Sequence, residues 1–143
     1  MKKKIIVMLV ALLVVVGGSA YYFLSYAPHQ EAVTNFNKAV QTVKSKNKTL
    51  KSEIAKAEKL VKSNQKPLDE KTLDNLKTAV ATAKSDLRKI PKVADKTEAI
   101  KKQTKSLNQP IDYSKATQSL ADSSLAYTNS VKQLAQITNP SQS

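Results

Sequence analysis

Glycine stops early in this chain: Gly17 and Gly18 are its two glycines, and none occurs in the 125 residues that follow. Hairpins and turns with positive φ rely on glycine, so its loss over that length points away from a β domain. Five prolines, Pro28, Pro67, Pro91, Pro110 and Pro140, punctuate the same stretch. Proline ends helices or sits in their first turn. The intervals between the prolines therefore read as helices, and the fold class as all-α.

The apolar spacing inside the intervals agrees. Val33, Phe36, Val40, Val43, Asn47, Leu50, Ile54, Ala57 and Val61 step by three and four alternately, an a/d seam through four heptads. The second interval repeats the pattern with Leu73, Leu76, Val80, Ala83, Leu87 and Ile90. Asp69, Glu70 and Asp74 stand at its start, and Arg88 and Lys89 at its expected end, in keeping with the helix dipole. The third interval is weaker, with Val93, Thr97, Ile100, Thr104 and Leu107. The fourth opens at Asp112 as a cap and continues through Tyr113, Thr117, Leu120, Ser124, Tyr127, Val131 and Leu134. Past Ala27 the aromatics are Phe36, Tyr113 and Tyr127, which favours a thin seam between helices over a thick core.

Asn47 sits at an a position, where such a residue can set the register of a parallel dimer. A parallel homodimer would oppose Lys46 with Lys51 and Glu53 with Glu58 across the seam, both like-charge contacts. Antiparallel packing of the first helix on the second within one chain is the preferred reading, joined by a short linker around Ser63–Leu68. The expectation is an elongated, antiparallel, coiled-coil-like bundle of three or four helices, with homo-oligomerisation left open.

Ahead of that bundle lies an uncharged stretch of 23 residues, Ile5–Ala27. About 20 helical residues cross the hydrocarbon core of a bilayer, so the length suffices for one transmembrane helix. Tyr21, Tyr22 and Tyr26 gather at one end, where interfacial aromatics belong. Lys2, Lys3 and Lys4 abut the other end, while the next lysine is Lys38. The positive-inside rule then puts residues 1–4 in the cytoplasm as a basic tip and 28–138 outside as a helical domain, with 139–143 a disordered tail. The alternative is a signal peptide: Gly18-Ser19-Ala20 offers a small-residue cleavage site, and cutting after Ala20 would release a secreted chain. Both readings export the remainder of the protein.

The exported part is basic, with 21 Lys/Arg against 11 Asp/Glu from Pro28 onward. The excess is +6 over Pro28–Lys66, +4 over Pro67–Lys105 and zero over Ser106–Ser143. A basic surface attracts polyanions, among them nucleic acid, anionic headgroups and wall polymers. Lys44, Lys46, Lys48 and Lys51, with Arg88, Lys89 and Lys92, are the candidate contacts. Base-edge recognition draws on Arg, Asn, Gln and aromatics; Arg88 is the lone arginine, so sequence-specific nucleic-acid binding is not expected.

Marks of the common enzyme classes are missing. Phosphate-cradling loops and nucleophile elbows use glycine. The chain has one His, His29, and no Cys, and its acids are scattered along helices near lysines, as Glu58 is near Lys62. The expectation is a non-enzymatic protein with no catalytic residue, cofactor or metal. Asn47-Lys48-Thr49 matches a glycosylation acceptor pattern, but Asn47 lies on the seam.

Asp112-Tyr113-Ser114-Lys115-Ala116-Thr117-Gln118-Ser119-Leu120 resembles the Tyr-Thr-x-x-Ser-Trp-x-x-Leu signature of FIVAR-type helical modules over nine residues, with Gln118 where the signature has Trp. Those modules occur in surface proteins of Gram-positive bacteria, and the resemblance implies that setting, with no functional residue carried over. The functional expectation is a membrane-anchored extracytoplasmic interaction or structural protein of a bacterial envelope. Its partners would be the bilayer and an anionic wall polymer or another envelope protein. The alternatives are an exported binder of anionic polymers, headgroups or DNA, and an envelope immunity or exclusion protein.

Overall fold

The computed structural model describes residues 26–138, and within them the regular structure is helical: α1 (Ala27–Lys62), α2 (Glu70–Asp86), α3 (Thr97–Leu107) and α4 (Ser114–Thr138), with no strand. The expected membrane segment falls outside the described residues except for Tyr26 and Ala27, as do the basic tip and the tail. No helix among the described residues is long and apolar enough to cross a membrane.

The described residues form two compact units, and α1 contributes to both. One unit takes α1 up to Gln41 together with Ile90–Gln109; the other takes Thr42–Lys89 with the chain from Pro110.

In the first unit the buried side chains are Ala32, Phe36, Ala39 and Val40 of α1 and Ile100 and Leu107 of α3. His29 Nδ1 lies 3.0 Å from Thr97 Oγ1, which sets the starts of α1 and α3 side by side. The third interval was expected to be helical from Pro91, but the helix begins only at Thr97. Before it, the chain is tied down by one glutamine: Gln103 Nε2 donates to the Lys92 carbonyl at 2.8 Å, and its Oε1 accepts from the Ala94 amide at 3.0 Å. That side-chain amide satisfies the backbone as a neighbouring strand would. Val93, expected on the seam, is exposed.

The second unit is a three-helix bundle. Leu50, Ile54 and Ala57 of α1 meet Leu76, Ala79, Val80 and Ala83 of α2 and Ala116, Leu120 and Tyr127 of α4. Helix directions follow from the polar contacts at the two ends. At one end Asn47 Nδ2 donates to the Arg88 carbonyl at 2.9 Å and the Tyr113 hydroxyl donates to Asn47 Oδ1 at 2.5 Å. At the other, the Tyr127 hydroxyl donates to the Gln65 carbonyl at 2.6 Å, and the Leu68 and Asp69 amides donate to the Ser130 carbonyl and hydroxyl. Hence α2 runs antiparallel to both α1 and α4.

The α1–α2 turn needs a residue with positive φ, and Asn64 at 60° supplies it without glycine. Asp69 caps α2 by accepting from the Lys71 amide. The helix expected to reach Ile90 stops at Asp86, and Leu87 turns extended at ψ 126°. Arg88 and Lys89 therefore lie beyond it, and Lys84 is the basic residue of its last turn. The stop has a physical cause: the Arg88 amide donates to the Tyr113 hydroxyl at 2.9 Å while its carbonyl takes Asn47. Tertiary partners replace the helical ones. Asp112 does bond at the start of α4, its Oδ1 accepting from the Ser114 amide at 3.0 Å.

Candidate functional site

The basic residues singled out in the sequence separate into four groups. On a helix of 3.6 residues per turn, Lys44, Lys48 and Lys51 share one flank of α1, and Lys59 and Lys62 continue it, all within an arc of about 80°. These five side chains are exposed. Lys46 projects from the opposite flank, where its charge contributes to holding the Asp112 carboxyl below its ordinary value. The larger causes there are the hydrogen bonds from the Ser114 side chain and amide.

Arg88 is a brace. Its backbone closes the ring with Asn47 and Tyr113, and its guanidinium donates to the Pro110 carbonyl at 3.2 Å. Lys89 is exposed beside it. Lys92 belongs to the first unit, where its carbonyl accepts from Gln103.

The structure adds lysines that sequence adjacency missed. In the second unit a cleft of about 270 Å³ is lined by Glu58, Val61 and Lys62 of α1 and Lys77, Val80 and Lys84 of α2. Three lysines thus share one cleft with a single carboxylate beside two valines. Glu58 forms an ion pair with Lys84. That hydrogen bond is the main reason the Glu58 carboxyl sits below its ordinary value; the charges of Lys84 and Lys62 add to it, and burial opposes them. Neither Lys62 nor Lys77 takes part in an ion pair among the described residues. Lys77 and Lys84 are seven residues apart, hence on one face of α2, a signal readable by helical projection.

Two other clefts differ in character. One of about 400 Å³ between α2 and α4 is lined by Asn75, Thr78, Thr82, Ser119 and Ser123, with Asp86 and Lys115 offsetting each other's charge. The other, of about 260 Å³ in the first unit, carries Glu31 and Lys101 among Pro28, Ala32, Asn35 and Thr104. No group of three or more His, Cys, Asp or Glu among the described residues is placed to hold a metal ion. No buried side-chain nitrogen or oxygen among them lacks a hydrogen-bond partner. Asn47, the one residue of the acceptor pattern on the seam, is buried with both amide atoms engaged.

No protein-family model, no curated protein and no solved structure matches the chain.

Proposed function

We propose that this protein is a non-enzymatic interaction module, anchored by Ile5–Ala27 in a bacterial, Gram-positive membrane, with its helical region facing outward. The observation that carries the reading is a pairing of two features. An uncharged 23-residue segment behind three lysines precedes a helical region with 21 basic and 11 acidic residues. The buried polar groups of that region's described part are used to close the fold. Asn47, Tyr113 and Ser130 bond to backbone and to one another, which suits a scaffold. What such a scaffold offers a partner is its charged exterior. The resemblance of Asp112–Leu120 to FIVAR-type modules supports the same setting.

Protease added to intact cells tests this. Digestion of the chain beyond about Pro28, with the N-terminal segment retained in the membrane, is the expected result. Full protection, with digestion only after the cells are opened, would refute it. Recovery of the intact helical region in the medium would favour cleavage after Ala20 instead.

A further inference from the structure

The cleft between α1 and α2 differs from a solvated lysine surface in how its charges are arranged. Lys62, Lys77 and Lys84 line one cleft with Glu58 over Val61 and Val80. One of the three is held by the carboxylate, so the site keeps a local excess of positive charge beside an apolar floor. Low-dielectric walls strengthen the attraction such a cleft exerts on an anion.

The charge also continues away from the cleft. Lys59, Lys51, Lys48 and Lys44 extend the flank of α1 that carries Lys62, covering about 27 Å along the axis. Neighbouring lysines are three or four residues apart except between Lys51 and Lys59, where Ala55 falls on the row. A row of that length matches a chain of repeated charges better than one small anion.

The surroundings narrow the chemistry further. A membrane-binding face pairs basic residues with exposed large apolar side chains. Among the described residues the exposed large apolar ones are Tyr26, Leu68, Ile90, Val93, Leu125 and Ile137, none of them on α2 or on the Lys44–Lys62 part of α1. Single-stranded nucleic acid is gripped by exposed aromatics. Tyr127 is buried, and the hydroxyls of Tyr113 and Tyr127 are bonded within the fold. Repeated anionic charge joined by small uncharged units is the chemistry that a lysine row without either companion fits.

We infer that the Lys62–Lys77 cleft seats one phosphate of a linear phosphodiester polymer whose following phosphates run along Lys59, Lys51, Lys48 and Lys44 of α1. Lysine suits this partner because a flexible point charge tolerates variable phosphate spacing. Glu58 is an internal competitor: it occupies Lys84 and adds the one negative charge in the cleft. The inference deepens the proposed interaction module and rests on that reading for where the polymer is met.

The test is a titration of the full-length protein in neutral detergent micelles with fluorescent poly(glycerol phosphate). Affinity is expected to fall at least ten-fold, roughly, between about 50 mM and about 200 mM salt. Lys62→Gln/Lys77→Gln, which keeps most of each aliphatic stem, should weaken binding about ten-fold or more. Glu58→Gln should tighten it several-fold. Lys102→Gln/Lys105→Gln, in the first unit, should change it less than about two-fold. Unchanged helical circular dichroism and melting confirm that each variant folds.

Equal losses in the two lysine pairs would mean diffuse attraction and overturn the inference. So would retained binding in Lys62→Gln/Lys77→Gln, no binding at low salt, or binding to phosphatidylglycerol vesicles with none to the polymer. Each of these outcomes leaves the protease result on intact cells unaltered, so the two readings fail separately.

Discussion

Replacing Tyr113 by Phe removes one oxygen that serves two partners. The hydroxyl donates to Asn47 Oδ1 at 2.5 Å and accepts from the Arg88 amide at 2.9 Å. Without it, a side-chain acceptor and a backbone donor lose their partners together. Asn47 is 6% exposed, so water does not readily replace the lost donor. Tyr113 is half-buried, so water reaches the Arg88 amide more easily. A buried polar group left unsatisfied costs about 1–3 kcal/mol, and one well-buried plus one partly solvated group puts Tyr113→Phe at about 2 kcal/mol. For a unit of this size that lowers the melting temperature by roughly 10 °C.

Asn47→Ala sharpens the test. With the amide gone, Tyr113→Phe strands the Arg88 amide alone, so the second substitution should cost about 1 kcal/mol less than the first. Urea and thermal unfolding of the full-length chain and its three variants, followed by circular dichroism, give the cycle. A Tyr113→Phe effect under about 0.5 kcal/mol, or two effects that simply add, would refute the reasoning.

Three further outcomes follow from local geometry. Asn64→Ala forces a Cβ-bearing aliphatic residue to φ 60° and should cost about 1 kcal/mol in a melt, whereas Asn64→Gly should stay within about 0.5 kcal/mol of the parent. Gln103→Ala removes both bonds that hold the chain at Lys92 and Ala94, so the Ala94 amide should exchange faster and trypsin should cut at Lys92 and Lys96 sooner. Glu58 and Asp112 have carboxyls below their ordinary values near 4.5 and 3.8, so each stabilises the fold fully above that value and loses its contribution as pH falls through the lower folded one. The melting midpoint should therefore hold from about pH 7 to about pH 5 and drop in more acid solution, less steeply in Asp112→Asn; a midpoint that rises on acidification would contradict the assignment.

Much of the fold can be read from proline placement and apolar spacing because both act locally. Val43, Leu50, Ile54, Ala57, Leu76, Val80, Ala83, Leu120 and Tyr127 are seam positions by spacing, and all are buried. What spacing misses is the competition for backbone groups. Leu87 and Ile90 continue the apolar pattern of α2, but the Arg88 backbone finds its partners in Asn47 of α1 and in Tyr113 just ahead of α4, and the helix ends. Val93 likewise continues a pattern in a segment outside any helix, where Gln103 takes the backbone groups of Lys92 and Ala94. The basic site was half legible for a related reason. Grouping lysines by nearness in sequence joins Lys46 to Lys44 and Lys48, although a two-residue step carries it across the helix. Lys77 shares a cleft with Lys62 only because α2 folds back along α1.

The polar contacts at the bundle ends thereby bear on the basic cleft. The seam interleaves Leu50, Ile54, Leu76, Leu120 and Tyr127 with Ala57, Ala79, Ala83 and Ala116, and apolar burial of this kind is non-directional. Slippage by one helical turn would shift Lys77 about 5.4 Å along α1 and away from Lys62. It would also strand Asn47, Arg88 and Tyr113 at one end and Gln65, Ser130 and Tyr127 at the other. Each buried group so stranded costs about 1–3 kcal/mol, more than the loss of one alanine contact. Apolar burial holds the three helices together, and the two polar ends choose which lysines face each other. A variant such as Tyr113→Phe should accordingly loosen polymer binding at the cleft as well as lower stability, although Tyr113 bonds to Asn47, about four turns of α1 away from Lys62, and lines no part of the site.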